Sequence, residues 1–168
     1  MLFTKNPDIY LLEDTLRDFD VSEELFKNFD FMLSKDELAK IFEWKNFLVI
    51  DDDYASGFLL GNYLKQVKAN VDISLDFQDA RKNLYEKKYD FILWEFELNH
   101  FPHLWGAAFL TELQLNPLLK DIPIVAVTAD ALIWEDQKYE EFWCKAYIRK
   151  LIDKKTLFED LVKLSKKT

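Results

Sequence analysis

From Asn46 onward, short apolar runs alternate strictly with amphipathic stretches, and this alternation constrains the fold more than any other feature. Phe47-Leu48-Val49-Ile50 runs into Asp51-Asp52-Asp53, and Phe91-Ile92-Leu93-Trp94 runs into Glu95. Ile122 to Val127 runs into Thr128, and Tyr147-Ile148 ends near Lys150. Val71, Ile73 and Leu75 alternate as a further strand. Near-continuous apolar runs of this length mark parallel strands covered on both faces. Between them, Phe58, Leu59, Tyr63, Leu64 and Val67 recur at helical spacing. So do Ala80, Leu84 and Tyr85, then Ala107, Leu110, Leu113 and Leu115. Stretches from about Leu132 to Trp143 and from Thr156 to Leu164 complete the helices. Five strand–helix units in series predict an α/β fold: a five-stranded parallel sheet of flavodoxin-like order 2-1-3-4-5, with helices on both faces.

Residues 1–45 carry no strand pattern and predict a helical N-terminal extension to a domain at 46–168. Asp20 with Glu23, and Ser34 with Glu37, have the spacing of capping boxes. Phe26, Phe29, Met32 and Leu33, and then Leu38, Ile41 and Phe42, suit apolar helix faces. The extension is expected both to pack on the main domain and to serve as a partner-binding or homodimerising arm; the sequence does not separate the two roles.

Composition removes several function classes. With 22 basic against 31 acidic residues the formal charge is −9, which argues against a nucleic-acid surface. Three glycines leave no Gly-rich phosphate loop, and one cysteine leaves neither a disulfide framework nor a Cys-rich zinc site. The first residues make a poor signal peptide and no run is long enough to span a bilayer, so the expectation is a cytoplasmic protein without a membrane contact.

Folds of this order place their sites beyond the carboxyl ends of the strands. Asp51, Asp52, Glu95, Thr128 and Lys150 are delivered there. Three carboxylates in one pocket need a cation or a proton among them. Asp51, Asp52 and Glu95 are a candidate Mg2+ set, and Thr128 with Lys150 suits a phosphoryl oxygen. A Mg2+-dependent phosphotransferase or phosphatase acting on small molecules is the enzymatic alternative; no substrate-shaping motif supports it.

Residues 46–168 resemble a response-regulator receiver (CheY-like) domain. The matching pieces are Phe47 to Asp52, Tyr89 to Glu95, Pro123 to Ala131 and Ala146 to Lys150. Thr128-Ala129-Asp130-Ala131 is most similar to receivers attached to hybrid kinases. The resemblance implies that Asp51 and Asp52 hold Mg2+ and that position 95 accepts a phosphoryl group from a histidine kinase. It makes Thr128 the switch hydroxyl, Tyr147 the switch aromatic and Lys150 the phosphate-binding lysine. It also implies a signalling module rather than an enzyme.

Four departures stand out. The acceptor position holds Glu95 instead of aspartate, moving the carboxylate by roughly 1.5 Å, one C–C bond. Proximity-driven transfer tolerates such displacement badly. Leu151 stands where the family has a proline that is usually cis; a cis bond before leucine costs roughly 3–4 kcal/mol, which predicts trans. The Phe96–Trp105 loop is longer than usual, and Phe142-Trp143 replaces a small Ala-Gly pair. Together they predict a degenerate pseudo-receiver that signals by protein–protein contact outside the normal phosphorylation cycle. In it Glu95 either pairs with Lys150 to fix one state or is inert; slow phosphorylation of Glu95 ranks last. Its partner would be a histidine kinase or another signalling protein. Trp134, Tyr139 and Trp143 are candidates for the transmitting face, Trp143 being the one expected inside. His100 and His103 read as solvated loop residues.

Overall fold

The computed structural model describes residues 33–95, 103–129 and 143–166. The Asp20 box, the 26–32 face, His100, Trp134, Tyr139 and the helix expected near 132–142 lie outside them. Its elements are α1 (Lys35–Phe42), β1 (Asn46–Ile50), α2 (Tyr54–Lys65), β2 (Asn70–Ser74) and α3 (Phe77–Glu86). They continue as β3 (Phe91–Glu95), α4 (His103–Leu115), β4 (Ile124–Thr128), β5 (Ala146–Arg149) and α5 (Lys154–Ser165). The strands form one parallel sheet of order β2-β1-β3-β4-β5, as the alternation predicts.

Strand alternation sorts each apolar run onto two cores. Phe47, Val49, Phe91, Leu93, Val125 and Val127 meet Leu60 and Leu64 of α2 and Leu157, Phe158 and Leu161 of α5. Leu48, Ile50, Ile92, Trp94, Ile124 and Ala126 face α3 and α4 through Phe77, Ala80, Leu84, Phe109, Leu110 and Leu113.

Helix α1 belongs to the first of these cores. Its start is fixed by the capping box: the Glu37 N–H donates to Ser34 Oγ, and the Ser34 N–H donates to Glu37 Oε2 at 2.7 Å. Leu38 and Phe42 point inward. Phe42 is fully buried against the rings of Phe47, Phe91 and Phe158, with centroids 6.0, 6.4 and 5.9 Å away. Burying such a ring contributes about 2–3 kcal/mol, enough to make this helix part of the sheet's own packing.

Two expected faces are corrected. On α2 the buried stripe is Gly57, Leu60, Gly61 and Leu64, while Phe58 and Leu59 are exposed. The glycines decide this. A Cβ on Gly57 would lie 3.2 Å from Ile73 Cγ2, and one on Gly61 3.3 Å from Ile73 Cδ1, so the helix seats on β2 along its smallest residues. Trp143, expected inside, is 47% exposed and left-handed at φ 59°. It sits in the turn before β5, where helical spacing no longer governs which way a side chain points.

Candidate functional site

The pocket lies at the carboxyl end of the three central strands and β5. In register, Val49 pairs with Leu93 and Ile50 with Trp94, so the next residues along, Asp51 and Glu95, face one another across β1 and β3. Glu95 pairs with Val127 and Thr128 with Arg149, which brings Thr128 and Lys150 to the same edge.

Lys150 is the centre of the arrangement. Its Nζ lies 2.9 Å from Asp51 Oδ2 and 2.5 Å from Glu95 Oε2. The Asp51, Glu95 and Lys150 side chains are only 2%, 6% and 19% exposed, so the two carboxylates and the ammonium are largely withdrawn from water. The Lys150 N–H donates to the Thr128 carbonyl at 2.7 Å, anchoring the lysine backbone to β4. The other Asp51 oxygen, Oδ1, accepts from the Asp53 N–H at 2.9 Å, and the Asp51 N–H donates to the Ser74 carbonyl at 3.0 Å. Burial works against the charged form of Lys150. The hydrogen bonds to Asp51 and Glu95 and the charges of both outweigh it, holding the ammonium's pKa above the ordinary lysine value.

Asp52 is half-buried beside Asp51. Thr128 is fully buried at the end of β4, and Tyr147 packs partly buried against the core on the α3 and α4 side. The Lys150–Leu151 peptide is cis, against the expectation of trans, which rested on local bond preference alone. Cys144, buried just before β5, has its thiol pushed up to about 12 by desolvation, so it behaves as a small hydrophobe. His103 opens α4; its side chain is outside the described set.

Asp51, Asp52 and Glu95 offer only oxygens, the donor type Mg2+ takes. Their arrangement fits the ion poorly. Each Asp51 oxygen already accepts a hydrogen bond, and the ammonium stands between Asp51 and Glu95, where a shared cation has to be. Among the described residues no group of three or more His, Cys, Asp or Glu side chains is disposed to hold a metal.

Two positions escaped the sequence reading. A Cβ on Gly57 would come within 3.6 Å of Asp51 Cβ, so this glycine lets α2 close over the acidic loop. One on Gly106 would meet Trp94 Cζ2 at 3.1 Å, so this glycine lets α4 seat on the residue before Glu95. The signal available was their rarity: three glycines in the chain, all on helices.

A five-stranded parallel sheet of this order with acids, a hydroxyl and a lysine on its carboxyl edge defines a receiver, and the chain belongs to the response regulator receiver domain family over residues 47–162. Receivers are signalling modules of two-component phosphorelays. The chain is 33% identical over 118 residues to the autoinducer 2 sensor kinase/phosphatase LuxQ of Vibrio harveyi, and 30% over 115 residues to that of Vibrio parahaemolyticus. These matches take 70% and 68% of this chain but span only 12% and 13% of the relatives' lengths. Chemotaxis protein CheY4 of Vibrio cholerae shares the fold, with TM-score 0.62 and 18% identity over 71% of this chain and 98% of that one. So does the receiver domain of sensor histidine kinase PA1611 from Pseudomonas aeruginosa, whose structure has a magnesium ion in its active-site cleft. Its TM-score is 0.59 and its identity 18%, over 74% of this chain and 96% of that one. No helix among the described residues is long and apolar enough to cross a membrane.

Proposed function

We propose that this receiver signals through protein contacts from a state fixed by its own side chains, outside the ordinary cycle of aspartyl phosphorylation. The observation that carries this reading is the Asp51–Lys150–Glu95 bridge. The longer glutamate reaches the ammonium directly, so the lysine that the resemblance assigns to a phosphoryl oxygen is already engaged. The Lys150 ammonium occupies the place between Asp51 and Glu95 that Mg2+ would take and offsets part of their charge, so Mg2+ binding is weak. Thr128 and Tyr147, the expected switch residues, are held in one arrangement rather than cycled between two. The partner is a histidine kinase or another signalling protein, a reading supported by the sensor kinases among the relatives and by Thr128 to Ala131. The chain itself acts as a cytoplasmic binding module and not as an enzyme.

The test is intact-mass measurement and Trp94 fluorescence after adding Mg2+ and acetyl phosphate, with Glu95→Asp run beside the native chain. The native chain should gain no phosphoryl mass and show no saturable Mg2+ response. The Glu95→Asp chain, with its shorter carboxylate, should show both. A phosphoryl adduct on native Glu95 overturns the reading and makes this a working receiver with an unusual acceptor.

A further inference from the structure

The edge of the sheet opposite the pocket has a character of its own. Because all five strands run parallel, the residues that precede them share the N-terminal edge. The Trp44 N–H donates to the Lys68 carbonyl at 3.1 Å and the Asn70 N–H to the Lys45 carbonyl at 2.9 Å, which ties these turns together. Two tryptophans stand exposed there, Trp44 at 72% and Trp143 before β5. Both have left-handed backbones, φ 67° and 59°, that favour glycine, so local conformation does not account for an indole at either place. Around them the edge is basic although the chain is acidic. Lys65, Lys88, Lys120 and Lys145 are exposed and make no ion pair among the described residues. The edge's Asp90 and Glu43 are already matched by Lys45 and Lys68, leaving Glu86 and Asp121 as its acids without an ion pair among the described residues.

The opposite corner, at the carboxyl ends of β1 and β2, is its complement. Asp52, Asp53, Asp76 and Asp79 reach the surface there, and residues 51–60 and 74–80 contain neither lysine nor arginine. Exposed apolar side chains stand among these acids: Tyr54 stacked on Phe58 at 5.9 Å, then Leu59 and Leu75. Acid with apolar on one edge, and base with apolar on the other, is charge complementarity within one molecule.

We propose that copies of this chain associate head to tail, the basic, tryptophan-bearing edge of one seating on the acidic, apolar corner of the next. The two contact surfaces differ, so the interface is heterologous, and it propagates into short open arrays unless its rotation closes a ring. Since Asp52 lies on the acidic corner, each contact also covers the mouth of the Asp51–Lys150–Glu95 pocket. The proposal does not depend on the pocket's phosphorylation state.

The test is sedimentation of the full chain over a range of concentrations. At about 0.05 M salt the weight-average mass should at least double from the 20.1 kDa of one chain. At about 0.5 M salt it should return to the monomer, because screening falls from roughly 14 Å to about 4 Å. Lys65→Glu with Lys88→Glu should abolish association, as should Asp52→Lys with Asp79→Lys, each variant keeping its native circular dichroism. Mixing the two variants should restore it, since acidic and basic edges then meet again. A monomer under all conditions overturns the proposal. So does association indifferent to both reversals, which would place the contact elsewhere in the chain, or failure of the mixture to recover. Binding of the monomer to anionic vesicles through the basic edge would overturn it in favour of a membrane surface.

Discussion

The two ends of the sheet solve opposite problems. At the carboxyl edge three ionisable groups are buried, and each has its partner: Lys150 lies 2.9 Å from Asp51 and 2.5 Å from Glu95. At the N-terminal edge bulky apolar groups are exposed on backbones that suit glycine, as at Trp44 and Trp143. One edge satisfies its charges internally; the other leaves apolar surface exposed.

The most damaging single change should come at the first edge. Lys150→Met leaves Asp51 and Glu95 buried without their cation, and breaking a buried pair in this way costs about 3–5 kcal/mol. Urea unfolding should reveal a loss of that size; a loss near that of a surface ion pair would erase the contrast between the edges. Next in size is Gly57→Val. Its added atoms press on Ile73 at a contact already 3.2 Å from a bare Cβ, and overpacking costs about 1–3 kcal/mol. The same substitution should disturb the adjoining Asp51 loop, visible as shifted amide resonances of Asp51 to Asp53.

The opposite edge should respond in the opposite direction. Trp143→Gly relieves a left-handed backbone and should raise stability by about 1 kcal/mol, read as a higher Tm. A lowered Tm would mean that the indole packs usefully within the chain. The smallest effect within the accessible pH range concerns Lys150 itself. Its pKa is raised on folding, so its contribution is complete below the ordinary lysine value of about 10.4 and is lost as pH climbs through the higher folded value. Native stability should therefore show an alkaline decline above about pH 10.4 that is shallower in Lys150→Met.

Much of the fold was legible because the apolar runs were. A run such as Phe47 to Ile50 is consistent with a strand buried on both faces, and five runs alternating with helical stretches leave little choice of topology. The polar residues ending those runs were equally legible, since strand ends are where such sheets place chemistry. The pairing of Glu95 with Lys150 was one of two readings the sequence left open, the other being an inert Glu95; the structure places the two side chains 2.5 Å apart. What was not legible depended on shape. The buried face of α2 was chosen by Gly57 and Gly61 against Ile73, and a reading that counts apolar residues sees glycines as gaps. Trp143 was misplaced because its turn, not its helix, sets its direction. The cis Lys150–Leu151 bond has no local signal when leucine follows.

Whether Glu95 and Lys150 act as a unit is decided by a double-mutant cycle. Unfolding free energies of the native chain, Glu95→Gln, Lys150→Met and the double variant give the coupling between the two side chains. A favourable coupling of about 2–3 kcal/mol is expected, with the double variant more stable than Lys150→Met alone, because one uncompensated carboxylate is gone. Additivity within about 0.5 kcal/mol would contradict it, since the glutamate would then be a neighbour of the lysine and not its lock.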